Sequence, residues 1–197
     1  NALQGASALL MGAGAAYYAF SGFSKLNMQG LPLSVYLKTE KAYISFAAIA
    51  LAALTAVVFL ADAVGFFSGG GFISSLKLCH LFPVLWMFCV TVGYFSITVS
   101  YMNVTQLMLM IFGDGFLMIF FFEYARFISG IGVKDAPWLL FAAGTICFIF
   151  QFASVLPDIA MLIKGDELIE NCPLQFYSAV SIVFVGITML TAALNGN

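Results

Sequence analysis

The stretch Val104–Phe127, VTQLMLMIFGDGFLMIFFFEYARF, decides the fold class. A helix rises ~1.5 Å per residue and the hydrocarbon core of a bilayer is about 30 Å thick, so roughly 20 apolar residues suffice to cross it. The stretch meets that length. It does not alternate polar and apolar residues with period two, which sets aside a β-barrel strand. A helix is then the remaining way to satisfy its backbone groups in lipid.

One acid interrupts the run. Asp114 falls near its middle, between Gly113 and Gly115. A charged aspartate at mid-membrane costs about 2.5–3.5 kcal/mol on insertion scales, so it must face the bundle interior, carry a proton, or have a partner. The two glycines would let another backbone approach closely. Glu123 and Arg126, three apart on one helical face near the end, are expected to form an interfacial ion pair. At 3.6 residues per turn Glu123 lies on the opposite side of the helix from Asp114, so the two carboxyls do not form one site.

Working outward, five more apolar stretches approach or exceed spanning length: 6–23, 43–67, 78–101, 137–156 and 176–194, with the quoted stretch making six. The expected architecture is all-α, a single transmembrane helical bundle of about six spans. Composition agrees. Of 197 residues, 63% are apolar and only 8% charged, against about a quarter charged in an average domain. Mean hydropathy is +1.06. Seven Lys and Arg against nine Asp and Glu leave no basic patch, which excludes nucleic acid as a partner. The lipid bilayer is the expected environment, with other membrane subunits or a second copy of the chain as further partners.

The links are expected to be short. Gly65–Gly71 suits a flexible turn, and Met102-Asn103 joins the third and fourth spans as a hairpin. Phe127–Ala136 makes another turn, closed by Pro137 at a helix start, where its missing N–H is harmless. Ser34–Ala42 forms an amphipathic lead-in to the second span, and Asp158–Gln175 is the most acidic segment. The first Lys or Arg is Lys25, beyond the first apolar run, so that run is expected to be a retained helix rather than a signal peptide. Lys25, Lys38 and Lys41 cluster just after it, which places the N-terminus on the non-cytoplasmic side.

Other chemistry-bearing residues are few. Cys89 and Cys147 lie mid-span and suit small apolar packing positions, while Cys79 and Cys172 fall at opposite sides of a six-span bundle. No Cys or His spacing fits a metal site. His80, the one histidine, is a ligand candidate but is expected at the membrane interface. Asn103-Val104-Thr105 is a glycosylation sequon pressed against the membrane. Gln151 and Asp158 share a face, Asp62 ends the second span, and Tyr94, Ser96, Thr98 and Ser100 make the third span hydroxyl-rich. The candidate intramembrane polar site is Asp114, Gln151 and Asp62. Phe120–Phe122 are expected to serve as packing or lipid-facing surface.

Four segments, Ala6–Phe20, Glu40–Ala50, Phe112–Ile119 and Val180–Ile187, resemble parts of the first, second, fourth and last helices of microbial (type 1) rhodopsins. That resemblance implies a rhodopsin-like topology. The retinal-binding lysine of the family is absent from the last of these segments, as is the family's third-helix motif. With no lysine in any span there is no Schiff base, and no cofactor is assigned. Lacking a nucleophile–base pair, metal set or phosphate loop, the chain is not expected to be an enzyme. Two functions fit: a transporter-, channel- or receptor-like bundle organised around Asp114, or an accessory subunit of a larger energy-transducing or pigment-bearing membrane complex.

Overall fold

In a computed structural model, residues 2–28, 40–68, 78–95, 104–130, 136–164 and 176–195 are described. They form six helices: α1 Ala2–Met28, α2 Glu40–Ser68, α3 Phe82–Tyr94, α4 Val104–Ser129, α5 Ala136–Lys164 and α6 Phe176–Asn195. The chain is an all-helical bundle. Four helices carry stretches long and apolar enough to cross a membrane: Tyr43–Ser68, Leu107–Ser129, Pro137–Pro157 and Phe176–Leu194. Helix α3 is shorter, its apolar part running Leu78–Tyr94 with a 3-10 turn at 78–81. Helix α1, diluted by glycine, serine and tyrosine, falls outside those four.

Helix ends differ from expectation in three places. Helix α2 continues through Gly65 to Ser68, because Gly65 is buried against the bundle rather than free in a turn. Helix α4 runs past Phe127 to Ser129 and stops at Gly130, whose φ of 67° turns the chain while its N–H bonds to the Phe127 carbonyl. Glycine adopts that left-handed conformation without a Cβ penalty. Helix α5 passes through Pro157 instead of ending there. Intramembrane helices tolerate proline because neighbouring groups can satisfy the freed backbone carbonyl. Pro137 does sit in the first turn of α5. The hairpin link at 102–103, Ser96, Thr98, Ser100, Cys172, most of Ser34–Ala42 and the Asp158 side chain lie outside the described residues.

Each helix packs on its neighbours in sequence, and α6 returns to α1, closing a ring. Neighbours are antiparallel. Along α1 and α2, Gly5 meets the Phe67 ring, Gly12 meets Phe59 and Leu60, and Gly22 meets Ile49. On α4 and α5, Gly113 faces Gln151 while Phe120 approaches Gly144; on α5 and α6, Gly144 faces Met189 and Phe148 faces Gly186. Met28, Glu40, Tyr94, Val104, Lys164 and Phe176 therefore lie at one end of the ring, and Ala2, Ser68, Ser129, Ala136 and Asn195 at the other.

The ring's interior is aromatic. Trp86, Tyr124, Tyr177, Phe59, Phe120, Phe121 and Phe184 are all enclosed. Phe184 lies at its centre, with ring centroids 5.1 Å from Phe59, 5.3 Å from Tyr124 and 6.2 Å from both Phe120 and Phe121. The exterior is apolar as well: Phe20 is 74% exposed and Trp138 71%. Such a surface is unstable in water but matches lipid, where packing and interhelical hydrogen bonds rather than the hydrophobic effect hold helices together. This is an integral membrane protein. Of the three consecutive phenylalanines, Phe120 and Phe121 pack inside and Phe122 faces outward.

Candidate functional site

Asp114 is 1% exposed, and its carboxyl is held from two other helices. The Gln151 amide of α5 donates to Oδ1 at 2.8 Å, and the Tyr177 hydroxyl of α6 donates to Oδ2 at 2.7 Å. Tyr94 of α3 lies 2.8 Å from the Tyr177 oxygen. A tyrosine has one hydroxyl hydrogen. When Asp114 is a carboxylate, Tyr177 directs its own at it, and Tyr94 is then the donor between the two tyrosines. Both carboxyl oxygens are thus hydrogen-bonded, each to a neutral group on another helix. A hydrogen bond between neutral groups contributes about 0.5–1.5 kcal/mol net, and leaving the buried acid without its partners would cost more.

Local sequence makes this arrangement possible. Gly113 clears space not for a backbone, as expected, but for the Gln151 side chain: a Cβ there would stand 3.3 Å from the Gln151 Cδ. Gly115 meets nothing within 4 Å and makes no close approach. Tyr177 is buttressed by Tyr18 of α1 and Trp86 of α3. These three rings form a triangle with every centroid separation at 5.5 Å and steep interplanar angles. Edge-to-face contact of this kind fixes ring orientation and so aims the Tyr177 hydroxyl.

The other predicted residues divide. Gln151 joins Asp114; Asp62 does not. Asp62 of α2 instead receives His80, whose Nε2 is 3.0 Å from both carboxyl oxygens. His80 is only 1% exposed, so it is not the interfacial residue expected from its place at a span's start. Pairing explains the correction: a buried acid and imidazole at adjacent helix ends satisfy each other, where separately each would seek water. The His80 ring also lies 6.3 Å from that of Tyr124. Glu123 and Arg126 form the expected pair, with Arg126 Nη1 2.9 Å from both carboxyl oxygens. Glu123 is 8% exposed and Arg126 partly exposed, on a helix turn away from Asp114. Cys147 is buried, Cys79 and Cys89 are partly exposed, and none of the three is bridged. Among the described residues no three His, Cys, Asp or Glu side chains gather in a metal-binding group.

Two polar layers result, separated by rings. On α4, Asp114 and Tyr124 stand about 15 Å apart at ~1.5 Å per residue, with Leu117, Phe120 and Phe121 between them. Tyr177 belongs to the site but carries no signal in the sequence, since a tyrosine at a span's start suits the membrane interface. Tyr94 was visible only as one hydroxyl of several. No family model matches the chain, and neither curated proteins nor solved structures show a match to it.

Proposed function

We propose that this is a non-enzymatic membrane protein of the transporter-, channel- or receptor-like class, organised around Asp114 as its working group. The observation that carries this reading is the enclosure of one carboxyl, deep in an apolar ring, by donors that are all neutral. An acid used only to join two helices needs one partner. Here Gln151 and Tyr177 arrive from separate helices, Tyr94 adds a hydroxyl from a third, and two further aromatics position Tyr177. Intramembrane acids facing a bundle interior commonly mark ion and proton pathways. The resemblance of four helices to type 1 rhodopsins belongs to this reading for topology alone.

The test is reconstitution into liposomes with flux of protons and small cations followed by an internal dye. Asp114→Asn keeps the shape of the neutral acid but cannot release a proton. It is expected to abolish Asp114-dependent flux while leaving helical content and monodispersity intact. Wild-type flux in that variant, together with native mass spectra in which the chain occurs only with other subunits, would instead establish the accessory-subunit reading.

A further inference from the structure

Both tyrosine hydroxyls at Asp114 come from one end of the ring. Tyr94 is the last residue of α3 and Tyr177 the second residue of α6, and both lie at the end of the ring that holds Val104 and Lys164. Asp114 itself is nearer that end, about 15 Å from Val104 and about 22 Å from Ser129 along α4 at ~1.5 Å per residue. Toward the opposite end stand Phe59, Phe121 and Phe184, all fully enclosed, with centroids 5.1 Å (Phe59–Phe184), 5.8 Å (Phe59–Phe121) and 6.2 Å (Phe121–Phe184) apart. Three phenyl rings offer no hydrogen-bonding atom. The next polar groups beyond them are the Tyr124 and Thr188 hydroxyls and the Asp62–His80 pair, whose members are engaged with each other.

We propose that Asp114 exchanges its proton with one face of the membrane only, through the Tyr177 and Tyr94 hydroxyls, with Phe59, Phe121 and Phe184 closing the other side. This rests on the reading of Asp114 as a working acid and names its ligand as the proton. In the uptake step a hydronium ion at the Tyr94 end gives its proton to the Tyr94 oxygen. The original Tyr94 hydrogen passes to the Tyr177 oxygen, and the original Tyr177 hydrogen passes to Asp114 Oδ2. Three O–H bonds break and three form. Both tyrosines end neutral, water is released, and Asp114 becomes a carboxylic acid that donates back to Tyr177. Release runs the same shifts in reverse. The other titratable groups near Asp114 are the Tyr18 hydroxyl from α1 and the Cys147 thiol from α5. Among the described residues neither is hydrogen-bonded to the carboxyl, so neither extends the chain.

The experiment uses sealed proteoliposomes of uniform orientation, with pH jumped on one face at a time. The Asp114 infrared band is followed, identified by aspartate isotope labelling and by its loss in Asp114→Asn. A fast response is expected for a jump on the face nearer Tyr94 and Val104, with a response slower by about a hundredfold from the other face. Tyr177→Phe and Tyr94→Phe should each slow the fast response by a similar factor, about a hundredfold. Phe121→Ala should speed the slow one. If Tyr177→Phe fails to fold, Tyr94→Phe alone decides, since Tyr94 is not one of the three rings of the Tyr18–Trp86–Tyr177 triangle. Equal rates from both faces, a faster response from the other face, no response at all, or wild-type rates in Tyr94→Phe would each overturn the proposal. One-sided exchange with Asp114→Asn leaving flux unchanged would remove only the functional reading. Flux that requires Asp114, with exchange from both faces, would remove only this inference.

Discussion

Among the described residues the bundle buries two aspartates in its interior and treats them differently. Asp62 faces an imidazole from the adjacent helix, whereas Asp114 faces an amide and a phenol from two helices that are not its partner in charge. A proton can move between Asp62 and His80 without changing the net charge of the pair. At Asp114 any gain or loss of a proton changes the charge of the layer and reverses donors and acceptors around it. The first arrangement is therefore suited to holding α2 against α3, and the second to responding. What separates holding from responding is whether the partner of the acid is itself ionisable near neutrality.

The comparison can be broken at several points. The largest effect is expected at the pair. His80→Leu leaves Asp62 buried without its partner and should cost about 3–5 kcal/mol in reversible unfolding from mixed micelles, whereas Asp62→Leu with His80→Leu together should recover most of that loss. A double variant as unstable as the sum of its singles would show that the two residues do not act on each other. Next comes Asp114→Leu, which strands the Gln151 amide and the Tyr177 hydroxyl and should cost about 1–3 kcal/mol in the same assay. Asp114→Asn should be nearly silent in stability, since it still accepts one hydrogen bond.

Smaller effects sharpen the picture of the site. Gly115→Ala places a methyl where nothing lies within 4 Å and should stabilise α4 by up to about 1 kcal/mol through helix propensity. Gly113→Ala should lose that gain, because its methyl presses on Gln151 at 3.3 Å. Equal stability changes at the two glycines would mean that Gln151 is not seated against Gly113. Smallest of all is the coupling between layers: Tyr177→Phe and His80→Gln, separated by the phenylalanine rings, should add to within about 0.5 kcal/mol. Marked non-additivity would dissolve the division into two layers.

Much of the helical framework was legible because spanning length and uniform apolarity leave few alternatives. Asp114 and Gln151 stood out for the same reason, as polar groups with no water to meet. The partnership of Asp62 with His80 was not legible. Each lies near a helix end, where water or headgroups would serve it, and only the way α2 packs on α3 turns both inward. Tyr177 was hidden more thoroughly, since tyrosine at a span boundary is ordinary and its inward direction depends on contacts with Tyr18 and Trp86. The roles of the two glycines beside Asp114 were likewise beyond periodicity, which gives the face of a residue but not the side chain it meets.

The central claim is that Asp114 is governed by Tyr177 and Gln151 and is indifferent to the histidine pair beyond the rings. Infrared spectra of purified protein with isotope-labelled aspartate test it most directly. The band lost in Asp114→Asn should shift in Tyr177→Phe and in Gln151→Leu, and should stay in place in His80→Gln. A band unmoved by Tyr177→Phe and Gln151→Leu, or one displaced by His80→Gln, would contradict the account.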